Sequence, residues 1–161
     1  MRGGALPPSL LCAAFGLALA FAPRRCFAAS LALLVAAALA ASFATLPAEW
    51  DDAVFFGCWL SVIAAALSIH LPGGPGPRLA LALAVNCGTW TGVVIAIAGA
   101  RIDLAIALPC ALLCLPGGWL VVRGRGIVIK VAASWLIAVA ILAAALQFAP
   151  TTPGYKPDHM D

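Results

Sequence analysis

GARIDLA, residues 99–105, interrupts a long apolar tract, and Arg101 and Asp103 are the only charged residues between Arg78 and Arg123. As one helix, the run from 79 to 122 would extend about 66 Å, against a hydrocarbon core about 30 Å thick. It therefore reverses somewhere near its middle. Gly99 weakens a helix, and Arg101 or Asp103 at the bilayer centre would each cost roughly 2.5–3.5 kcal/mol. Two positions apart on a helix point to nearly opposite sides, so the pair would not neutralise itself if buried there. GARIDLA is expected to be a turn at the water surface rather than a buried site.

Composition explains why such an argument applies at all. The 161 residues are 65% hydrophobic and 9% charged, and the mean hydropathy is +1.11. A water-soluble domain of this size could not keep so much apolar surface inside, so lipid is the solvent. The formal net charge of +3 arises from single and paired cations at the ends of apolar runs, a topology signal rather than a nucleic-acid footprint.

Working outward, apolar runs cover about 5–22, 26–47, 53–71, 79–98, 102–121 and 127–149. The expected fold is an all-α polytopic transmembrane bundle of six helices, a single domain over 1–149, followed by an extended tail at 150–161. If six helices alternate, the first, third and fifth connections carry Arg24, Arg25, His70, Arg78, Arg123, Arg125 and Lys130, and they face the cytoplasm. The other side then holds Arg2, Glu49, Asp51, Asp52, the Arg101/Asp103 turn, Lys156, Asp158 and Asp161, with both termini extracytoplasmic. An Ala-rich chain that favours Arg over Lys fits a bacterial inner membrane. Residues 1–22 resemble a secretory signal in outline, but Pro23, Arg24 and Arg25 after the small-residue site argue for a retained helix. A cleaved signal leaving five helices is the alternative.

Within the spans, Gly88 and Gly92 form a small-xxx-small face that admits another helix backbone. Asn86, Thr89 and Thr91 share that helix, and Gln147 on the last one is a candidate partner. Together with Pro109, these mark a packing surface or a solute path. Pro109 removes a donor and crowds the preceding turn, so a kink is expected in the fifth helix. LPGG occurs at 71–74 and at 115–118, which raises the expectation of two related hairpins with a connector at each copy and a fifth helix that ends early.

Of the six cysteines, Cys110 and Cys114 stand at i and i+4 and form the candidate thiol pair, without a CxxC motif. In the tail, Asp158, His159, Met160 and Asp161 are possible metal ligands, while Pro150, Pro153 and Pro157 favour an extended segment suited to docking. No cofactor is expected, and no nucleotide loop, zinc-protease motif, nucleophile elbow or carboxylate pair is present. The expected partners are the bilayer and either a membrane protein or further copies of the chain. Three functions are weighed: a small structural or accessory subunit of a membrane assembly, a small-solute or ion transporter acting as an oligomer, and a membrane thiol or metal enzyme.

Overall fold

A helix in lipid must satisfy its own backbone, and this chain does so wherever its described residues span. The computed structural model describes residues 6–98, 100 and 102–146. It is all-helical over that range. The helices are α1 (Leu6–Leu19), α2 (Phe27–Ala41), α3 (Asp51–Ser68), α4 (Pro77–Ala98), α5 (Ile102–Ala107), α6 (Cys114–Val122) and α7 (Gly126–Leu146). Short 3-10 turns at Arg24–Cys26 and Ala48–Trp50 precede α2 and α3, and a 3-10 stretch, Leu108–Leu113, joins α5 to α6.

Five helical segments are long and apolar enough to cross a membrane: Arg24–Ala41, Asp51–Ser68, Pro77–Ile97, Ile102–Val122 and Gly126–Leu146. Their outer faces are as apolar as their inner ones, with Leu39, Leu60, Leu67, Ile106, Val131, Trp135 and Leu142 all exposed. That is the pattern of an integral membrane protein.

α1 differs from these. Its 14 residues extend about 21 Å, yet it is the most enclosed element, with Leu11, Cys12, Ala14 and Phe15 fully buried. It touches α3, α4, α5, the 3-10 stretch, α6 and α7. The other helices are arranged around it, and α2 lies outside, packed on α4.

The charged turn has a local explanation. α4 ends at Ala98 and α5 begins at Ile102. The Ala100 N–H donates to the Asp103 carboxylate at 3.0 Å, and the Asp103 N–H donates to the Ala100 carbonyl at 2.8 Å. Asp103 thus closes the first turn of α5 on itself and places a negative charge where the helix dipole favours one. Arg101 lies outside the described residues.

Three sequence expectations need correction. The second helix stops at Ala41 instead of running to 47. Leu46 precedes Pro47 and is pushed away from helical geometry, and the Ser42 hydroxyl donates to the Leu39 carbonyl at 2.7 Å. In the fifth span the break is larger than a kink. Pro109 cannot donate to the carbonyl one turn back, and the chain tightens into 3-10 geometry over six residues before the α-helix resumes at Cys114. That restart places Pro116 in the first turn of α6, where no backbone donor is needed. The LPGG copies also diverge. Leu71–Gly74 is a connector with Gly73 and Gly74 at φ of 82° and 74°, whereas Leu115–Gly118 lies inside α6, which runs on to Val122. Gly117 is there because a Cβ would come within 2.8 Å of the Ala20 methyl.

The two ends of the bundle carry opposite charge. At one end the first, third and fifth connections meet around Phe21: a Cβ on Gly74 would lie 2.8 Å from the Phe21 carbonyl oxygen, and one on Gly126 would lie 3.4 Å from its ring. Those connections and the helix ends beside them bear Arg24, Arg25, His70, Arg78, Arg123, Arg125 and Lys130. At the other end, Ala38, Ile95 and Leu104 cluster, near the connections that bear Glu49, Asp51, Asp52 and Asp103.

Candidate functional site

The close-approach face on α4 is met by α2. A Cβ on Gly88 would sit 2.5 Å from the Leu34 carbonyl oxygen and 2.8 Å from the Ala37 methyl. One on Gly92 would overlap the Ala38 carbonyl oxygen and lie 2.7 Å from the Ala41 methyl. Residue numbers rise together across the seam, so the two helices are parallel, and the buried ridge Ser30, Leu34, Ala38 of α2 runs along it. Bare glycine lets two backbones touch, which in lipid replaces the hydrophobic drive that water would supply.

The polar residues of α4 separate onto different faces. Thr91 is buried, with its hydroxyl 3.6 Å from the Cys12 sulfur on α1. Thr89 faces outward. Asn86 Nδ2 donates to the Ser61 hydroxyl of α3 at 2.9 Å. This last pair is near the middle of both helices. It lines a shallow cleft of about 450 Å³ between α3 and α4, bordered by Leu60, Leu79 and Leu83, with Trp90 at one end. A Cβ on Gly57 would collide with the Trp90 ring, so the indole lies directly on the α3 backbone. The cleft opens on the outer surface, where Leu60 is 64% exposed. Gln147, the sequence candidate for Asn86's partner, lies outside the described residues, as does the 150–161 tail.

Pro109 sits in the 3-10 stretch that crosses α1. A Cβ on Gly16 would come within 2.5 Å of the Ala111 carbonyl oxygen, so this crossing is also backbone on backbone. The tighter winding alters the thiol pair. With three residues per turn, Cys110 and Cys114 are displaced by about a third of a turn instead of sharing a face. Cys114 is buried and Cys110 is half-exposed, with its thiol turned to the Ile106 carbonyl at 3.7 Å.

Cys12, Cys58, Cys87 and Cys114, from α1, α3, α4 and α6, share one buried cluster with Cys110 packed against it, a convergence that linear spacing does not reveal. All six cysteines are free thiols. Among the described residues, no three His, Cys, Asp or Glu side chains are placed to hold a metal ion. The buried polar side chains are small: Ser30, Ser42, Ser61, Ser68 and Thr91. Ser68 is occupied by the Ala65 carbonyl at 2.6 Å, while Ser30 Oγ and Trp59 Nε1 have no hydrogen-bond partner.

No protein-family model matches the chain, and no curated protein or solved structure is significantly similar to it.

Proposed function

We propose that this chain is a six-pass bacterial inner-membrane protein that serves as a small structural or accessory subunit of a larger membrane assembly. In this reading α1 is retained in the mature protein and counts as the first pass, the basic end faces the cytoplasm, and both termini are extracytoplasmic. Removing α1 would leave a void shared by six other elements, each losing packing surface.

The observation that carries the subunit reading is the Asn86–Ser61 pair in its outward-facing cleft. A carboxamide has two donors and an acceptor with two lone pairs, and Ser61 takes up one donor. Capacity left over at mid-depth in lipid favours association with another transmembrane segment. Solute transport draws its support from the Pro109 break alone. The buried hydroxyls are dispersed, and two of them are tied to backbone carbonyls within their own helix turns, so they do not line a continuous polar route.

The test is purification from native membranes in mild detergent, with a photo-crosslinking residue at Leu60 or Leu79 and, as control, at Val131 on the far face of α7. The expected outcome is a discrete larger species crosslinked through the α3/α4 cleft and dispersed by Asn86→Leu. A monodisperse monomer, unchanged by Asn86→Leu, would refute the proposal.

A further inference from the structure

We infer that the basic end of the bundle holds the phosphate of an anionic phospholipid between two arginine pairs, Arg24/Arg25 and Arg123/Arg125. The inference concerns a different surface from the α3/α4 cleft and stands whichever leaflet this end faces.

Both pairs are mounted on hydrogen-bonded turns. Arg24 and Arg25 begin the 3-10 turn in which the Cys26 N–H donates to the Pro23 carbonyl at 2.9 Å. Arg123 and Arg125 flank Gly124, whose φ of 73° lets α6 end in a Schellman motif. There the Arg125 N–H donates to the Leu120 carbonyl at 2.9 Å, and the Gly124 N–H to the Val121 carbonyl at 3.0 Å. The Arg123 guanidinium lies on the Trp119 ring at 3.9 Å, which leaves its N–H edges free to donate. The two turns are neighbours, because a Cβ on Gly126 would lie 3.4 Å from the Phe21 ring and one on Gly118 would lie 3.9 Å from the Phe27 ring.

Electrostatics at this end are one-sided. Besides the four arginines it holds Arg78, Lys130 and His70, and the described carboxylates, Glu49, Asp51, Asp52 and Asp103, are all at the opposite end. The N-termini of α2, α4 and α7 also lie here, and their dipoles add to the positive potential. An anion would balance this charge, and guanidinium forks match phosphate oxygens in pairs. A lipid fits better than a free ion because the arginines adjoin exposed apolar surface. Val122 and Ile127 are both 72% exposed, and Trp119 is 49% exposed, so an acyl chain can run along the helices below its headgroup.

The experiment uses the full chain in nanodiscs of phosphatidylcholine with and without phosphatidylglycerol, read by native mass spectrometry for lipid retained and by thermal unfolding. We expect saturable retention of phosphatidylglycerol and a raised unfolding midpoint, both weakened by added salt. Arg24→Gln/Arg25→Gln and Arg123→Gln/Arg125→Gln should each weaken retention, by roughly fivefold per arginine removed. A fourfold Arg→Lys variant, which keeps charge and membrane orientation, should hold the lipid better than the Gln variants and less well than the parent. Gln variants that retain phosphatidylglycerol like the parent, equal retention of phosphatidylcholine, or equal stabilisation by inorganic phosphate would overturn the inference.

Discussion

Adding a single methyl group at Gly88 or Gly92 should pry α2 from α4. At Gly88 the new Cβ would be 2.5 Å from the Leu34 carbonyl oxygen, about 0.9 Å short of the 3.4 Å at which ordinary contact begins. The obstacle is main chain and cannot swing aside as a side-chain tip would. Relief therefore requires α2 to withdraw along much of the Ser30, Leu34, Ala38 ridge. A gap of 0.5–1 Å forfeits a quarter to a half of each dispersion contact, and overpacking of this kind costs about 1–3 kcal/mol. Replacing glycine by alanine returns about 0.5–1 kcal/mol through helix propensity. The net expectation is a loss of roughly 1–2 kcal/mol for Gly88→Ala or Gly92→Ala. The double variant should cost less than the sum, since the first methyl has already displaced α2. Reversible unfolding by sodium dodecyl sulfate in mixed micelles, followed by circular dichroism, measures this. Gly76→Ala is the control, because a Cβ there meets nothing within 4 Å and its φ is not positive. If Gly88→Ala and Gly92→Ala were as neutral as Gly76→Ala, the close-packed seam would be wrong.

Other consequences can be checked individually. Asn86→Leu and Ser61→Ala should each change monomer stability by only about 0.6 kcal/mol, so loss of a larger assembly without loss of fold is the expected pattern in size-exclusion chromatography. Gly16→Ala should destabilise by about 1–3 kcal/mol, since its Cβ would meet the Ala111 carbonyl oxygen at 2.5 Å; a neutral result in the same denaturant titration would remove the α1 crossing. Cys12, Cys58 and Cys87, all 0% exposed, should react with N-ethylmaleimide only after denaturation, whereas rapid labelling in intact membranes would contradict the buried cluster. Single cysteines introduced at 49 and 125 should label from opposite faces of sealed vesicles, and labelling from the same face would refute the alternating topology.

Much of the architecture could be read directly because lipid is an exacting solvent. A carboxylate such as Asp103 is too costly at mid-depth, and Asp103 closes the turn that opens α5. Gly88 and Gly92 announced a close approach, but nothing in the line of letters identified α2 as the helix that approaches. Asn86 was visible as a hydrogen-bonding group, while Ser61 was overlooked, since cross-helix pairing depends on rotations that local pattern leaves open. The two LPGG copies show the same limit from the other direction. Four identical residues make a left-handed connector where Gly74 rests on Phe21, and helix where Gly117 rests on Ala20. Local preference was weak enough for tertiary contacts to decide. Whether Cys110 and Cys114 share a face depends on the winding next to Pro109, where the chain is 3-10 rather than α-helical. α1 gave no sign of its special place, being composed much like the helices that surround it.

That place has a consequence for biogenesis. α1 precedes the other described helices along the chain and is the axle of the finished wheel, so every later helix except α2 must seat against it. Nascent chains truncated from the carboxyl end would still possess a template on which a partial wheel can gather. Chains lacking α1 would have rim pieces with no common seat, and membrane quality control would meet them as loose spokes.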